Sequence, residues 1–272
     1  MVNFVTSLIQ LNSQDNIKAN IEAAENYVQE SAAGGAQLIC LPENTFFMQE
    51  QGKGQQPDQT EGINHCRRLA EELKVWILIG SVQVPIADLP GKSYNRSLLI
   101  DADGNITSQY DKIHLFDVTL KNGEAYNESA RIAAGRQAVL ASTPWGKLGM
   151  SVCYDLRFPH LYRTLAHNGA DLLSIPAAFT YTTGSAHWHT LLRARAIENF
   201  CYVLAPAQCG LHPGNRRTYG HSLVVAPWGE IIAEASEDKP GVTFATINTD
   251  KISEARSMVP SLQHDREFSL HA

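Results

Sequence analysis

The sequence predicts one α/β domain, a four-layer α-β-β-α sandwich made of two similar halves. Two observations predict it. Each half reads strand, helix, strand, helix, strand, hairpin, which repeats an architecture without visibly repeating a sequence. No low-complexity linker divides the 272 residues, a length that suits one large α/β domain. Two half-sheets, each with its helices on one face, can bury their other faces against each other. Residues 1–272 are therefore read as a single unit.

The elements follow in order. Val2 to Ile9 reads as a first strand. Asp15 can cap a helix whose Ile17, Ile21, Ala24 and Val28 share one face, and Gly34-Gly35 ends it. Gln37 to Leu41 is a short buried strand, 60–73 a helix, and Val75 to Gln83 a strand. Ser93 to Ile100 and Ile106 to Lys112 flank Asp103-Gly104, a hairpin signal. The polar stretch 115–142, with Gly123 and Gly135, reads as a long functional loop. The pattern then resumes with a strand at Leu148 to Cys153, a helix at Pro159 to His167 and a strand at Asp171 to Ile175. A helix at Ala186 to Phe200 and a strand at Tyr202 to Ala207 follow. His221 to Ala226 and Glu230 to Ala235 pair around Pro227-Trp228-Gly229, and Val242 to Ile247 is the last strand before the tail.

Composition narrows the function classes. Apolar residues at 44% and charged residues at 18% describe a soluble globular chain. A net charge of −6 argues against nucleic acid or an anionic membrane as partner. No apolar run reaches bilayer length, and the N-terminus shows neither a basic n-region nor a cleavage site. A cytoplasmic location is expected. The five cysteines are odd in number, irregularly spaced and free of Cys-x-x-Cys, which argues against a disulfide framework and a structural zinc site. Each is by default a small buried apolar side chain.

Cys153 departs from that default. It ends the strand Leu148 to Val152, and Phe158-Pro159 soon opens a helix, so its thiol sits at a strand-to-helix elbow. Such a turn exposes a nucleophile and aims backbone N–H groups at a developing oxyanion. A free thiol with a pKa of about 8.5 needs help at neutral pH. Glu43, after the strand Gln37 to Leu41, could take its proton. Lys112, at the end of Ile106 to Lys112, could favour a thiolate by charge. Ligands of α/β sheets gather beyond the carboxyl ends of strands, where all three lie.

The strings Leu41-Pro42-Glu43-Asn44, Tyr110-Asp111-Lys112-Ile113-His114-Leu115 and Cys153-Tyr154-Asp155-Leu156-Arg157-Phe158-Pro159, in this order, resemble the nitrilase superfamily of carbon–nitrogen hydrolases. The resemblance spans nearly the whole chain and implies the same four-layer sandwich. It implies Glu43 as general base, Lys112 as oxyanion stabiliser and Cys153 as nucleophile. It adds the Tyr154 N–H to the oxyanion hole and Glu128 as a second glutamate near the lysine. A thioester mechanism on Cys153 follows, and no metal or cofactor is expected. It also implies a homodimer, formed through the helices at Phe158 to His167 and Ala186 to Phe200. The C-terminal tail, 255–272, would reach across the partner.

The second half is similar to the amidase branch of that family. The strings are Pro176-Ala177-Ala178-Phe179, Thr182 to Trp188 and Leu192 to Glu198, followed by Ala207-Gln208-Cys209-Gly210 and Tyr219-Gly220-His221-Ser222. This similarity implies a small 2-oxo acid amide as substrate: deaminated glutathione first, 2-oxoglutaramate as the alternative. A short carboxylate substrate needs a buried cation, and Arg157 is expected to grip it, with Thr183 and Phe179 alongside. Arg216 and Arg217, in the divergent loop 210–217, could meet the carboxylate of a dipeptide leaving group but are read mainly as solvated. Three other readings stay open. His187-x-His189 with His212 and His221 could suggest a zinc hydrolase, although two residues apart on a helix do not share a face. A Cys–His protease would need an imidazole that the sequence does not single out. A catalytically silent scaffold would not need all three reactive residues.

Overall fold

The computed structural model describes residues 3–50, 52–54, 56–120 and 123–271. Val2, expected in the first strand, and Ala272, the end of the tail, lie outside the described residues. The first half runs β1 (Asn3–Gln10), α1 (Ile17–Ala33), β2 (Leu38–Cys40), α2 (Thr60–Leu73), β3 (Trp76–Pro85), β4 (Ser93–Ile100) and β5 (Ile106–Asp111). A small hairpin, β6 (Asp117–Thr119) and β7 (Ala125–Asn127), follows. The second half runs β8 (Val139–Thr143), β9 (Gly146–Met150), α3 (Pro159–His167), β10 (Leu172–Ser174), α4 (Tyr181–Asn199) and β11 (Tyr202–Ala205). It closes with the hairpin β12 (Cys209–His212) and β13 (Arg216–Tyr219), then β14 (Leu223–Val225), β15 (Ile231–Glu234), β16 (Gly241–Asn248) and α5 (Asp250–Met258).

The two sheets have matching topologies. One has the order β16-β1-β2-β3-β4-β5, the other β8-β9-β10-β11-β14-β15. In each, three strands run parallel and the next two antiparallel. In each, one further antiparallel strand covers the edge, β16 on β1 and β8 on β9. The parallel strands need crossovers, which α1 to α4 supply.

Alternation along the strands builds the layers. On β1 and β2, Ile9 and Ile39 pack with Ile21, Ala24, Val28, Leu69 and Ala70 of α1 and α2. Their neighbours Leu8, Leu38 and Cys40 join Leu148, Met150, Leu172 and Val225 of the other sheet. The expected helix–sheet–sheet–helix order results. No helix among the described residues is long and apolar enough to cross a membrane.

The structure corrects several boundaries. Asn16, not Asp15, caps α1, accepting from the Ala19 N–H at 3.2 Å; the two residue types serve this position equally well. Residues 115–142 are not a featureless loop: they hold β6, β7, a 3-10 turn at Glu128–Ala130 and part of β8. β12, β13 and α5 lie where no element was expected. α4 begins at Tyr181, five residues early, although Gly184 falls in its first turn. A β-carbon at Gly184 would stand 2.4 Å from Tyr219 Cβ, so close packing on β13 selects a residue of poor helix propensity there.

Gly80 on β3 is set by a similar contact. A β-carbon there would lie 2.1 Å from the Leu41 carbonyl oxygen and 2.4 Å from Pro42 backbone atoms. The glycine lets β3 approach the segment that leads into Glu43. Gly80→Ala should therefore displace that segment and destabilise the fold by about 1–3 kcal/mol. A chemical-denaturation midpoint equal to that of the native chain would contradict this packing.

Candidate active site

Each of the three expected reactive residues leaves a strand at its carboxyl end, and the structure brings them together. Glu43 follows β2 by three residues and is buried. Its Oε1 accepts from Lys112 Nζ at 2.9 Å and from Asn95 Nδ2 at 3.0 Å. Its Oε2 accepts from the Ala178 N–H at 2.8 Å, so the second sheet also holds it. Lys112 follows β5 directly, and its side chain is 2% exposed. Its ammonium also donates to both oxygens of Glu128, at 3.0 and 2.9 Å. Glu128 is fixed in turn by the Phe116 N–H, 2.7 Å from Oε2. Cys153 lines the same cavity as Glu43 and Lys112, close enough for their charges to act on its thiol.

Cys153 opens a 3-10 turn, Cys153–Arg157, three residues after β9. Its φ is +48°, a left-handed conformation that costs a β-carbon residue about 1–3 kcal/mol. Several bonds hold it there. The Cys153 N–H donates to the Pro176 carbonyl at 2.9 Å. The buried Asp155 carboxylate accepts from the Val152 N–H at 2.8 Å, the Tyr110 hydroxyl at 2.7 Å and the His114 N–H at 3.0 Å. Asp155 thereby ties the elbow to the chain on both sides of Lys112. From the far side, Arg195 of α4 donates to the Leu156 carbonyl from Nε and Nη2, at 3.0 and 2.8 Å. The turn's first internal bond runs from the Asp155 N–H to the Val152 carbonyl. The Tyr154 N–H falls outside that ladder, as N-terminal donors of a helical turn do.

These residues open into a cavity of about 820 Å³ that Glu128, Tyr154, Phe179 and Thr183 also line. Arg157 departs from expectation, because it is not among the lining residues. Its guanidinium faces His187 Nδ1 at 3.3 Å and lies 5.3 Å from the Phe179 ring centroid. Arg216, read from sequence as mainly solvated, does line the cavity. Its Nη2 donates to the Ala178 carbonyl at 2.8 Å, and its Nε is buried without a partner. Arg217 instead pairs with Glu237.

The histidines scatter. His187 meets Arg157, and His212 is buried between the Ser13 carbonyl and the Thr218 hydroxyl. Burial pushes the His212 imidazole down to about 4, so it is neutral at neutral pH. His189 and His221 do approach each other, beside Glu234 and outside the cavity lining. Sequence reasoning missed Asn95, Asp155 and Arg195. Asp155 and Arg195 carried a signal, their places inside the Cys153 and Leu192–Glu198 strings, whereas Asn95 carried none.

Residues 6–257 match the carbon-nitrogen hydrolase family. The chain belongs to that family. It is 44% identical over 266 residues to a deaminated glutathione amidase of Synechocystis, covering 96% of this chain and 97% of that one. It is 40% identical to the Yersinia enterocolitica protein of the same name, with coverage of 99% and 95%. Among solved structures, the Caenorhabditis elegans NitFhit protein superposes with a TM-score of 0.87 at 36% identity, covering 97% of this chain. This chain spans only 65% of that one. Saccharomyces cerevisiae Nit3, a member of branch 10 of the nitrilase superfamily, gives a TM-score of 0.82 at 28% identity, with coverage of 95% and 94%.

The electrostatics of this carbon–nitrogen hydrolase correct one expectation. Lys112 does not hold Cys153 as a thiolate. Burial, then the negative charge of Glu43, raise the thiol well above its ordinary value, and Lys112 only partly opposes them. Burial would lower the Lys112 pKa, but Glu128 and Glu43 raise it well above the usual value. Burial would raise Glu43, but the charge and hydrogen bond of Lys112 outweigh it and hold the carboxyl below 4.5. The resting site is thus a thiol beside a carboxylate.

The sign of the pH dependence follows. Ionised Glu43 is present above its depressed pKa, and its contribution to stability is lost as pH falls through that value. A plot of kcat/KM against pH should be level through neutrality and fall only in acid, below about 4.5. An ascending limb centred near the free-thiol value of about 8.5 would mean that the thiolate forms before attack.

Proposed function

We propose that this hydrolase cleaves the amide of a small 2-oxo acid, with deaminated glutathione as substrate and 2-oxoglutarate and cysteinylglycine as products. The observation that carries the chemistry is the buried Glu43–Lys112–Cys153 group at the cavity wall. The substrate is inferred from relatives that bear that name at about 40% identity.

The steps follow from the geometry. Cys153 Sγ attacks the amide carbonyl while its proton passes to Glu43. The oxyanion is met by Lys112 Nζ and the Tyr154 N–H. Protonated Glu43 gives its proton to the departing amine, leaving a thioester. Water then loses a proton to Glu43 and attacks the thioester, and the proton returns to sulfur as the acid leaves. Glu128 holds Lys112 in place throughout. No step uses a metal or a cofactor.

The substrate carboxylates need a cation. Arg216 takes the role expected of Arg157, because it lines the cavity with a buried, unpartnered Nε. Thr183 and Phe179 form the adjacent wall, with the Thr183 hydroxyl 2.7 Å from that of Thr180. The cavity, about 820 Å³, has room for either substrate, so the leaving group is assigned from the relatives and not from size.

Two kinetic measurements test this assignment. Deaminated glutathione should be turned over with a higher kcat/KM than 2-oxoglutaramate. A reversed order would favour the omega-amidase alternative and leave the amidase chemistry standing. Arg216→Gln should raise KM for deaminated glutathione about tenfold or more with little change in kcat, the signature of a lost charged hydrogen bond.

The quaternary state is proposed as a homodimer. The tail from Ser261 to Asp265 is anchored on its own α3, where Arg163 and His167 pair with Asp265. Beyond it, Phe268 and Leu270 are almost fully exposed and available to a partner. Sedimentation as a monomer would overturn this. Five free, buried cysteines suit a reducing, cytoplasmic compartment.

A further inference from the structure

Three metal-capable side chains meet outside the catalytic cavity. His189 belongs to α4, His221 to the link between β13 and β14, and Glu234 to the end of β15. Their ligand atoms all lie within 4.8 Å of one another. Glu234 Oε1 stands 2.9 Å from His189 Nε2 and 2.8 Å from His221 Nδ1. The mechanism uses none of these groups. We propose that His189, His221 and Glu234 form a site for a divalent transition metal, with zinc as the ion that fits.

The donor set suits zinc, which takes imidazole nitrogen and carboxylate oxygen at about 2.0–2.2 Å. Tetrahedral bonds of that length place ligand atoms roughly 3.3 Å apart. Opening the two Glu234 contacts by about half an ångström, and bringing the two imidazole nitrogens from within 4.8 Å to that distance, reaches the spacing. The side chains are 32%, 21% and 34% exposed, which leaves water free to complete the coordination.

The surroundings hold the imidazoles in place. His221 has φ +52°, a left-handed conformation unfavourable for a β-carbon residue. Its carbonyl accepts from Trp188 Nε1 at 2.9 Å, and its ring lies 4.5 Å from that of Tyr219, tilted by 35°. The Tyr219 ring also lies 5.9 Å from that of His189. In neutral imidazoles the N–H now facing Glu234 would move to the outer ring nitrogen as the metal binds, with no net proton release. The ion would clamp α4 to the β14–β15 hairpin and so brace the helix that carries Thr183 to the cavity. This site does not depend on which amide is hydrolysed.

Calorimetric titration of the full chain with zinc chloride tests the proposal, using the native chain, His189→Ala, Glu234→Gln and Cys153→Ala. Circular dichroism checks that each variant is folded. The native chain and Cys153→Ala should bind one zinc per chain and melt at a higher temperature with it. His189→Ala and Glu234→Gln should bind about tenfold more weakly or worse, without that rise. The proposal falls if the native chain shows no saturable binding, or if both ligand variants bind as tightly as it does. It also falls if binding disappears in Cys153→Ala, which would place zinc on the nucleophile.

Discussion

One buried cation organises the site. The Lys112 ammonium has no contact with bulk water and would be a severe liability if left alone. Glu43 and Glu128 take all the charge it offers, at 2.9–3.0 Å. Burial alone would raise the Glu43 carboxyl, and the lysine holds it ionised. The three side chains therefore fix one another, and each comes from a different segment of the chain. Asn95 bridges the same two carboxylates from β4, donating to Glu43 and to Glu128 Oε1. A shift of any of these segments would strand a charge, so the pairing sets the geometry tightly.

The sandwich delivers the other half. Glu43 and Lys112 leave strands of one sheet, whereas Cys153 and Ala178 follow strands of the other. Bonded links cross between the halves at the site. The Ala178 N–H donates to Glu43, and Asp155 accepts from Tyr110 and His114 on either side of Lys112. The nucleophile's unfavourable φ is tolerated because these bonds, with Arg195 behind the turn, determine the elbow's path. The strain is local, while the bonds that sustain it span the two sheets.

The sequence carried the architecture well because it is written in repeated short apolar segments and turn residues. The strand ends bearing Glu43, Lys112 and Cys153 could be read directly. Elements set by tertiary contact could not. The first turn of α4 contains Gly184, a poor helix former that close packing against Tyr219 requires. The β12–β13 hairpin has a polar, glycine-containing sequence that reads as loop, yet it places Arg216 in the cavity and leaves Arg217 outside it. Arg157 failed for the opposite reason. Its position in the Cys153 string is clear, but the direction of its guanidinium is decided by His187, thirty residues away. Asn95 gave no sign at all, since a strand asparagine announces nothing until both carboxylates converge on it.

In the proposed mechanism, the second glutamate explains how the lysine can serve the oxyanion. Before attack, Glu43 and Glu128 are negative, Lys112 is positive and Cys153 is neutral. As sulfur attacks, the proton passes to Glu43 and the negative charge reappears on the substrate oxygen. The total charge around Lys112 is unchanged, and one of its two negative neighbours has simply moved. A lysine paired with Glu43 alone would lose its only counter-ion at the moment of proton transfer. Glu128 keeps the ammonium charged and oriented through that exchange, so the donor to the oxyanion is in place before the charge develops. A resting thiol is compatible with this scheme. A preformed thiolate would add a third negative group to the pocket, and burial together with Glu43 already disfavours it.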